Sequence, residues 1–182
     1  MEKTIKENLI HKGNFIDVYE DDVLVVENQK MTKRIYIKHP GAACVMALTK
    51  DHKICLIKQY RYPIKGYTLE IPAGKKDDIN ESGLSCAKRE LEEETGYASN
   101  DIKLIYQLYH CVGYSDEVID LYLAKNIVKI INPKAMDEDE FIDVEFYTQD
   151  EVRKLIKDTK IHDVKTLIAM QYFIQMNFEE KQ

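Results

Sequence analysis

The sequence predicts an α+β fold: a mixed β-sheet with helices packed on it, preceded by a strand-rich N-terminal region. Three observations carry this. Short β-patterned runs separated by polar turns fill the first seventy or so positions. A helical pattern runs from Ser82 to Thr95 and stops at Gly96. Further strands and two capped helical stretches then close the chain. With 182 residues, 45% hydrophobic and 32% charged, the chain suits one globular domain with a small extra element.

Phe15–Tyr19, Val23–Val26 and Arg34–Lys38 read as strands, with turns at Lys12-Gly13-Asn14 and Glu27-Asn28-Gln29. Ala42–Thr49 and Ile54–Gln59 are continuous apolar runs on either side of Lys50-Asp51-His52-Lys53, which predicts a buried hairpin. Thr68–Ile71 is a short strand ended by Pro72-Ala73-Gly74. Strands follow the helix at Leu104–Cys111, Val118–Leu123 and Ile142–Tyr147. Thr148-Gln149-Asp150-Glu151 is a capping box opening a helix to about Ile156. A last helix begins near Asp163, with Leu167, Met170, Phe173 and Ile174 at helical spacing.

The central helix carries the chemistry. At about 100° per residue, Glu90, Glu93 and Glu94 share an arc of roughly 100°, with Leu84, Ala87 and Leu91 on the adjacent apolar face. Glu92 points elsewhere. Like charges at these spacings cost about 0.2–0.5 kcal/mol per pair, and the C-terminal end of a helix disfavours anions. Two readings stand: a solvated acidic face balanced by Lys88 and Arg89, or a site where a divalent cation relieves the repulsion.

Composition excludes other classes. Lys and Arg number 26 against 32 Asp and Glu, for a net charge of −6. That balance argues against sequence-independent nucleic-acid binding, which needs cationic surface. No apolar run approaches the roughly 20 residues of a membrane span, and the first residues lack an apolar signal core. Cys44, Cys55, Cys86 and Cys111 form no CxxC pair, so free thiols in the cytoplasm are expected. A Cys–His nucleophile at His110 and Cys111 is disfavoured, since adjacent strand residues face opposite ways.

From Glu81 onward the helix resembles the Nudix box, G-x5-E-x7-R-E-U-x-E-E-x-G-U: Glu81, Arg89, Glu90, Leu91, Glu93, Glu94, Gly96 and Tyr97 all match. One extra loop residue separates Gly74 from Glu81. His39-Pro40-Gly41, Gln59-Tyr60-Arg61-Tyr62-Pro63, Glu70-Ile71-Pro72-Ala73-Gly74, the acidic loop at 137–140 and Ile161–Leu167 resemble the ADP-ribose pyrophosphatase branch. Together they cover nearly the whole chain. Where that branch carries Ser-Pro-Gly, this chain has Cys111-Val112-Gly113. GDP-mannose and other nucleotide-sugar pyrophosphatases therefore stay in view.

The resemblance implies a Nudix-type α/β/α sandwich over 41–182, with residues 1–40 forming an antiparallel region that mediates homodimerisation. It implies hydrolysis of a nucleoside diphosphate sugar, ADP-ribose foremost, with Mg²⁺ or Mn²⁺ as cofactor. Glu90, Glu93, Glu94 and the Ala73 carbonyl are the implied metal ligands, and Arg89 orients the glutamates. In the acidic loop, Glu138 is the implied base and Glu140 a further ligand. For substrate, Arg61 is expected on phosphate and Tyr60 or Tyr62 on the base, with core packing the alternative for either tyrosine. Glu70 is expected on a ribose hydroxyl or adenine amine, and Ser115 and Glu117 near the second sugar or phosphate. The contrasting class is a Nudix-fold nucleotide-binding sensor without turnover, marked by loss of box carboxylates; all are present here.

Overall fold

Strand β5 (Ala42–Leu48) is apolar and buried at every position, as a strand covered on both faces must be. The computed structural model, which describes residues 1–78, 80–134 and 141–178, builds a seven-stranded sheet around it. On one side β5 pairs in parallel with β11 (Val118–Lys125), which pairs antiparallel with β10 (Asp101–Tyr109). On the other side β5 has two partners. Its last residues pair with β6 (Ile54–Arg61), Leu48 opposite Ile54. Its first half pairs with β8 (Ala73–Lys75), Cys44 opposite Ala73. β6 in turn pairs with β7 (Gly66–Glu70) along one edge and β13 (Asp143–Tyr147) along the other.

The expected β5–β6 hairpin therefore forms only at its tip. Beyond it the strands part, and the β7–β8 segment fills the fork. Pro72-Ala73-Gly74 does not end the sheet, as the sequence suggested, but leads into β8. The Pro72 carbonyl accepts from the Val45 amide at 2.8 Å, so this proline sits where it needs no donor of its own.

Helix α1 (Gly83–Thr95) covers one face, where Cys86, Ala87 and Leu91 meet Ala43, Val45 and Ala47. Helices α2 (Gln149–Lys157) and α3 (Val164–Gln175) cover the other, where Val152, Ala169, Met170 and Phe173 meet Cys44, Met46 and Leu48. The result is an α/β/α sandwich. Each fully buried Leu, Val or Phe side chain contributes about 1.5–3 kcal/mol through removal from water.

The N-terminal strands form a separate sheet. β3 (Asp17–Val25) is central. β4 (Lys30–Lys38) pairs along its whole length, while β1 (Glu2–Lys6) and β2 (Leu9–Lys12) share its other edge. The sequence suggested two strands at 15–19 and 23–26, but the polar Glu20-Asp21-Asp22 stretch continues the strand. Its charges are matched across the sheet, with Asp21 opposite Arg34 and Asp22 opposite Lys33. The small pair β9 (Tyr97–Ala98) and β12 (Val128–Lys129) was not anticipated either.

Candidate active site

Helix α1 is fixed at both ends by its own sequence. Ser82 caps it, its hydroxyl accepting from the Ser85 amide at 3.1 Å, and Gly96 ends it at φ 72°, a conformation that costs glycine little. The buried arc is Gly83, Cys86, Ala87, Leu91, Glu94 and Thr95. Leu84, placed on that face by periodicity, is 38% exposed. Gly83 takes the sheet-facing position instead, so close to Asp120 that a Cβ would lie 2.1 Å from its Oδ2. The helix is thus turned so that Glu94, 3% exposed, belongs to the core-facing side.

Arg89 is the hub of the acidic stripe. Its Nη1 donates to Glu90 Oε1 at 2.6 Å and Glu93 Oε2 at 3.1 Å. Nε and Nη2 reach the two Glu81 oxygens, each at 3.2 Å, and Nη2 also donates to the Lys75 carbonyl at 3.0 Å. Burial works against this cation, but the surrounding carboxylates, Glu81 and Glu90 foremost, raise its pKa. Glu81 also accepts from the Asp77 amide at 2.8 Å, so the longer loop still delivers it to Arg89. Glu92 points away and accepts from the Lys134 amide at 3.1 Å.

Across from the stripe lies β8. The Ala73 amide donates to Glu94 Oε2 at 2.8 Å. At Gly74 a Cβ would sit 1.9 Å from Glu90 Oε1, so a side chain there fits only if the glutamate moves. Among the described residues no three carboxylate, imidazole or thiol groups converge as a ready metal cluster: Arg89 draws in Glu90 and Glu93, and Glu94 reaches toward Ala73. The donor chemistry nonetheless fits a hard divalent cation, since Glu90, Glu93, Glu94 and the Ala73 carbonyl offer oxygen alone.

The fork opens into a cleft of about 460 Å³, whose walls include Arg61, Thr68, Glu70, Ala73–Lys75, His110, Glu117 and the start of α3. Its floor is a buried ion network. Arg61 grips Glu70 with both arms, Nε to Oε1 and Nη2 to Oε2 at 2.7 Å each. Thr68 Oγ1 and Lys165 Nζ also donate to Glu70. Burial pushes the Glu70 carboxyl up, but Arg61 and Lys165 outweigh it and hold it at about 2. Beside this network the buried Gln59 Oε1 finds no partner among the described residues.

Several expected substrate residues are placed differently. Glu70, with four donors on its two oxygens, has its acceptor sites filled, so it holds Arg61 rather than waiting for a hydroxyl. Arg61 lines the cleft, but with its fork already engaged. Tyr60 is 45% exposed, packs against Tyr67 and is not part of the cleft wall; on a strand it faces away from its neighbour Arg61. Tyr62 is exposed. Glu117 lines the cleft with its Oε1 3.7 Å from His39 Nε2. Ser115 lies behind it, its hydroxyl accepting from the Glu117 amide at 3.2 Å. Glu138 and Glu140 lie outside the described residues. Lys165, Asp163 and His39 lie in stretches that carry the resemblance, and Asp163 was read as the start of the last helix, but none was given a site role from the sequence; an isolated Lys or His carries no periodic signal, and only the fold brings these three to one cleft.

The chain is similar to several known proteins. The NUDIX domain pattern matches residues 37–168. The chain is 42% identical over 171 residues to a methanol dehydrogenase activator of Bacillus methanolicus, covering 94% of this chain and 91% of that one. It is 40% identical to an ADP-ribose pyrophosphatase of Bacillus subtilis over the same shares. A GDP-mannose pyrophosphatase of Yersinia enterocolitica is 29% identical, covering 90% of this chain and 86% of that one. A crystal structure of an ADP compounds hydrolase superposes with a TM-score of 0.79 at 19% identity, covering 96% and 92% of the two chains.

Proposed function

The chain belongs to the NUDIX domain family and is a Nudix hydrolase, and from that premise we propose that it splits the pyrophosphate bond of ADP-ribose, giving AMP and ribose 5-phosphate. The observation that carries the reading is the acidic stripe of α1, where Glu94 meets Ala73, Glu90 meets Gly74 and Glu93 joins Glu90 on Arg89, at the edge of the cleft that Ala73 and Gly74 line.

Glu90, Glu93, Glu94 and the Ala73 carbonyl would hold Mg²⁺, or Mn²⁺ in its place. Such a cation neutralises a pyrophosphate and lowers the pKa of a bound water. Arg89 keeps the carboxylates in place through Glu90, Glu93 and Glu81. Glu138 would take the proton of the attacking water and Glu140 would add a ligand. Arg61, fixed by Glu70, presents the remainder of its guanidinium to substrate, and Glu117 and Ser115 border the second sugar. Tyr60 meets the base only with help from outside the cleft wall. A second copy supplies such help if residues 1–40 mediate a homodimer, and light scattering near twice the 21.3 kDa chain mass is the expected result. The reading places the chain in the cytoplasm, acting on small-molecule nucleotide sugars; its net charge of −6 argues against nucleic acid as a partner, and among the described residues no helix is long and apolar enough to cross a membrane.

The decisive measurement is AMP release from ADP-ribose, with Mg²⁺ and with chelator, for wild type and Glu93→Gln. No AMP from the wild type, or equal AMP from both, overturns the reading. GDP-mannose belongs in the same panel, because Val112, 79% exposed, replaces the usual proline beside the cleft. If GDP-mannose turns over faster, the substrate assignment moves to it. A second reading, activation of a dehydrogenase, is favoured by the 42% identical relative and is tested by adding the chain and its Glu93→Gln variant to methanol dehydrogenase. Nucleotide binding with no turnover of any nucleotide sugar would instead mark a sensor.

A further inference from the structure

The segment from Glu70 to Gly74 is held from below by the first turn of α3. Thr166 is fully buried. Its Oγ1 accepts the Ile71 amide at 2.9 Å and donates to Asp163 Oδ2 at 2.6 Å. A carboxylate only accepts, so the hydroxyl proton is committed to Asp163 and a lone pair to Ile71. Asp163 is itself fixed, capping α3 through the Thr166 amide at 2.9 Å and pairing with Lys165 at 3.0 Å.

What Thr166 holds is two residues from a proposed metal donor. After Ile71 comes Pro72, whose ring locks φ and whose carbonyl is bound by Val45. Ala73 follows, its amide tied to Glu94. With so few free torsions between, a displacement at Ile71 is passed on to the Ala73 carbonyl rather than absorbed.

We propose that Thr166, steered by Asp163, is a positioning residue for the Ala73 carbonyl, setting where that oxygen stands relative to Glu94 and so the affinity for a divalent cation. The proposal rests on the reading of Glu90, Glu93, Glu94 and Ala73 as the cation's donors. It differs from a purely structural role in one respect: loss of the hydroxyl weakens cation binding beyond what a core lesion of similar cost does.

The test is Mn²⁺ binding to the full, nucleotide-free chain, read from the electron paramagnetic resonance of the free ion. Thr166→Val is expected to weaken binding by about tenfold, the usual effect of losing an outer partner of a metal ligand. Thr166→Ser, which keeps the hydroxyl, is expected to match wild type. Val152→Ala, a core lesion in α2, is expected to lower stability without moving Mn²⁺ affinity. Equal affinity in Thr166→Val and wild type overturns the proposal, as does equal weakening in Val152→Ala. A wild type that binds no Mn²⁺ overturns the donor reading and this proposal together. Should Thr166→Val fail to fold, Mg²⁺ titrated into the wild type decides by nuclear magnetic resonance. The Ile71 and Thr166 amide signals are expected to shift with the same midpoint as Ala73, and unmoved signals overturn the proposal.

Discussion

Gly74 and Glu90 occupy each other's space: a Cβ on the glycine would stand 1.9 Å from one carboxylate oxygen and 2.6 Å from the other. No side chain fits unless the glutamate moves.

Gly74→Ala should therefore displace Glu90 while leaving the helix formed. Misplacement of a reacting group by about 1 Å can cost about a hundredfold in rate, and overpacking of this kind typically costs about 1–3 kcal/mol. AMP release at saturating Mg²⁺ and urea denaturation check the two halves separately. Near-normal turnover would show that Glu90 is not needed where it stands.

Arg89→Gln removes the cation that Glu81, Glu90 and Glu93 share. Stability should fall by about 1–3 kcal/mol, since hydrogen bonds to charged groups lose their donor. Mg²⁺ should raise the melting temperature more in the variant than in the wild type, because ligand binding to the folded state adds stability and the Arg89 guanidinium no longer competes for the carboxylates. An equal or smaller rise would count against cation binding at the stripe.

Acid should unfold the protein through Glu70. Its folded value of about 2 lies below the ordinary 4.5, so its ionisation adds stability above pH 4.5 that is lost as pH falls toward 2. The shift corresponds to something of the order of 3 kcal/mol. Urea midpoints measured from pH 7 down to pH 3 should fall most steeply below about pH 4.5, and Glu70→Gln should flatten that fall. The variant should also be less stable at pH 7, by about 3–5 kcal/mol, because Lys165 loses a buried partner.

One thiol should react in the native protein. Cys44, Cys55 and Cys86 are buried, while Cys111 is half-buried. Burial raises all three inner thiols, Cys55 and Cys86 to about 12, and the thiolate is the reactive form. A disulfide-exchange dye should titrate a single fast thiol, and four after denaturation.

Much of this was legible in the chain itself, for physical reasons. Ser82, Gly96, Thr148 and Asp163 act within one turn, so the helix limits follow from local sequence. The stripe of Glu90, Glu93 and Glu94 is set by helical pitch alone. The rotation of α1 was not legible, because it depends on Gly83 meeting Asp120 on a strand far along the chain. Nor was the fork: β5 and β6 carry equally apolar patterns whether or not they stay paired. The Glu70 network was not legible either, because its four donors come from Arg61, Thr68 and Lys165, the last 95 positions away.

The parted strands have a consequence for how new selectivity arises. The β7–β8 segment that carries Ala73 and Gly74 is wedged between β5 and β6, locked by contacts that tolerate little change. The far bank of the cleft, from His110 to Glu117, belongs to a connecting loop tied to the N-terminal sheet chiefly by backbone contacts at Ile37. Mutational drift can reshape that bank without disturbing the machinery opposite, so a library randomised there is the natural place to select for altered leaving groups.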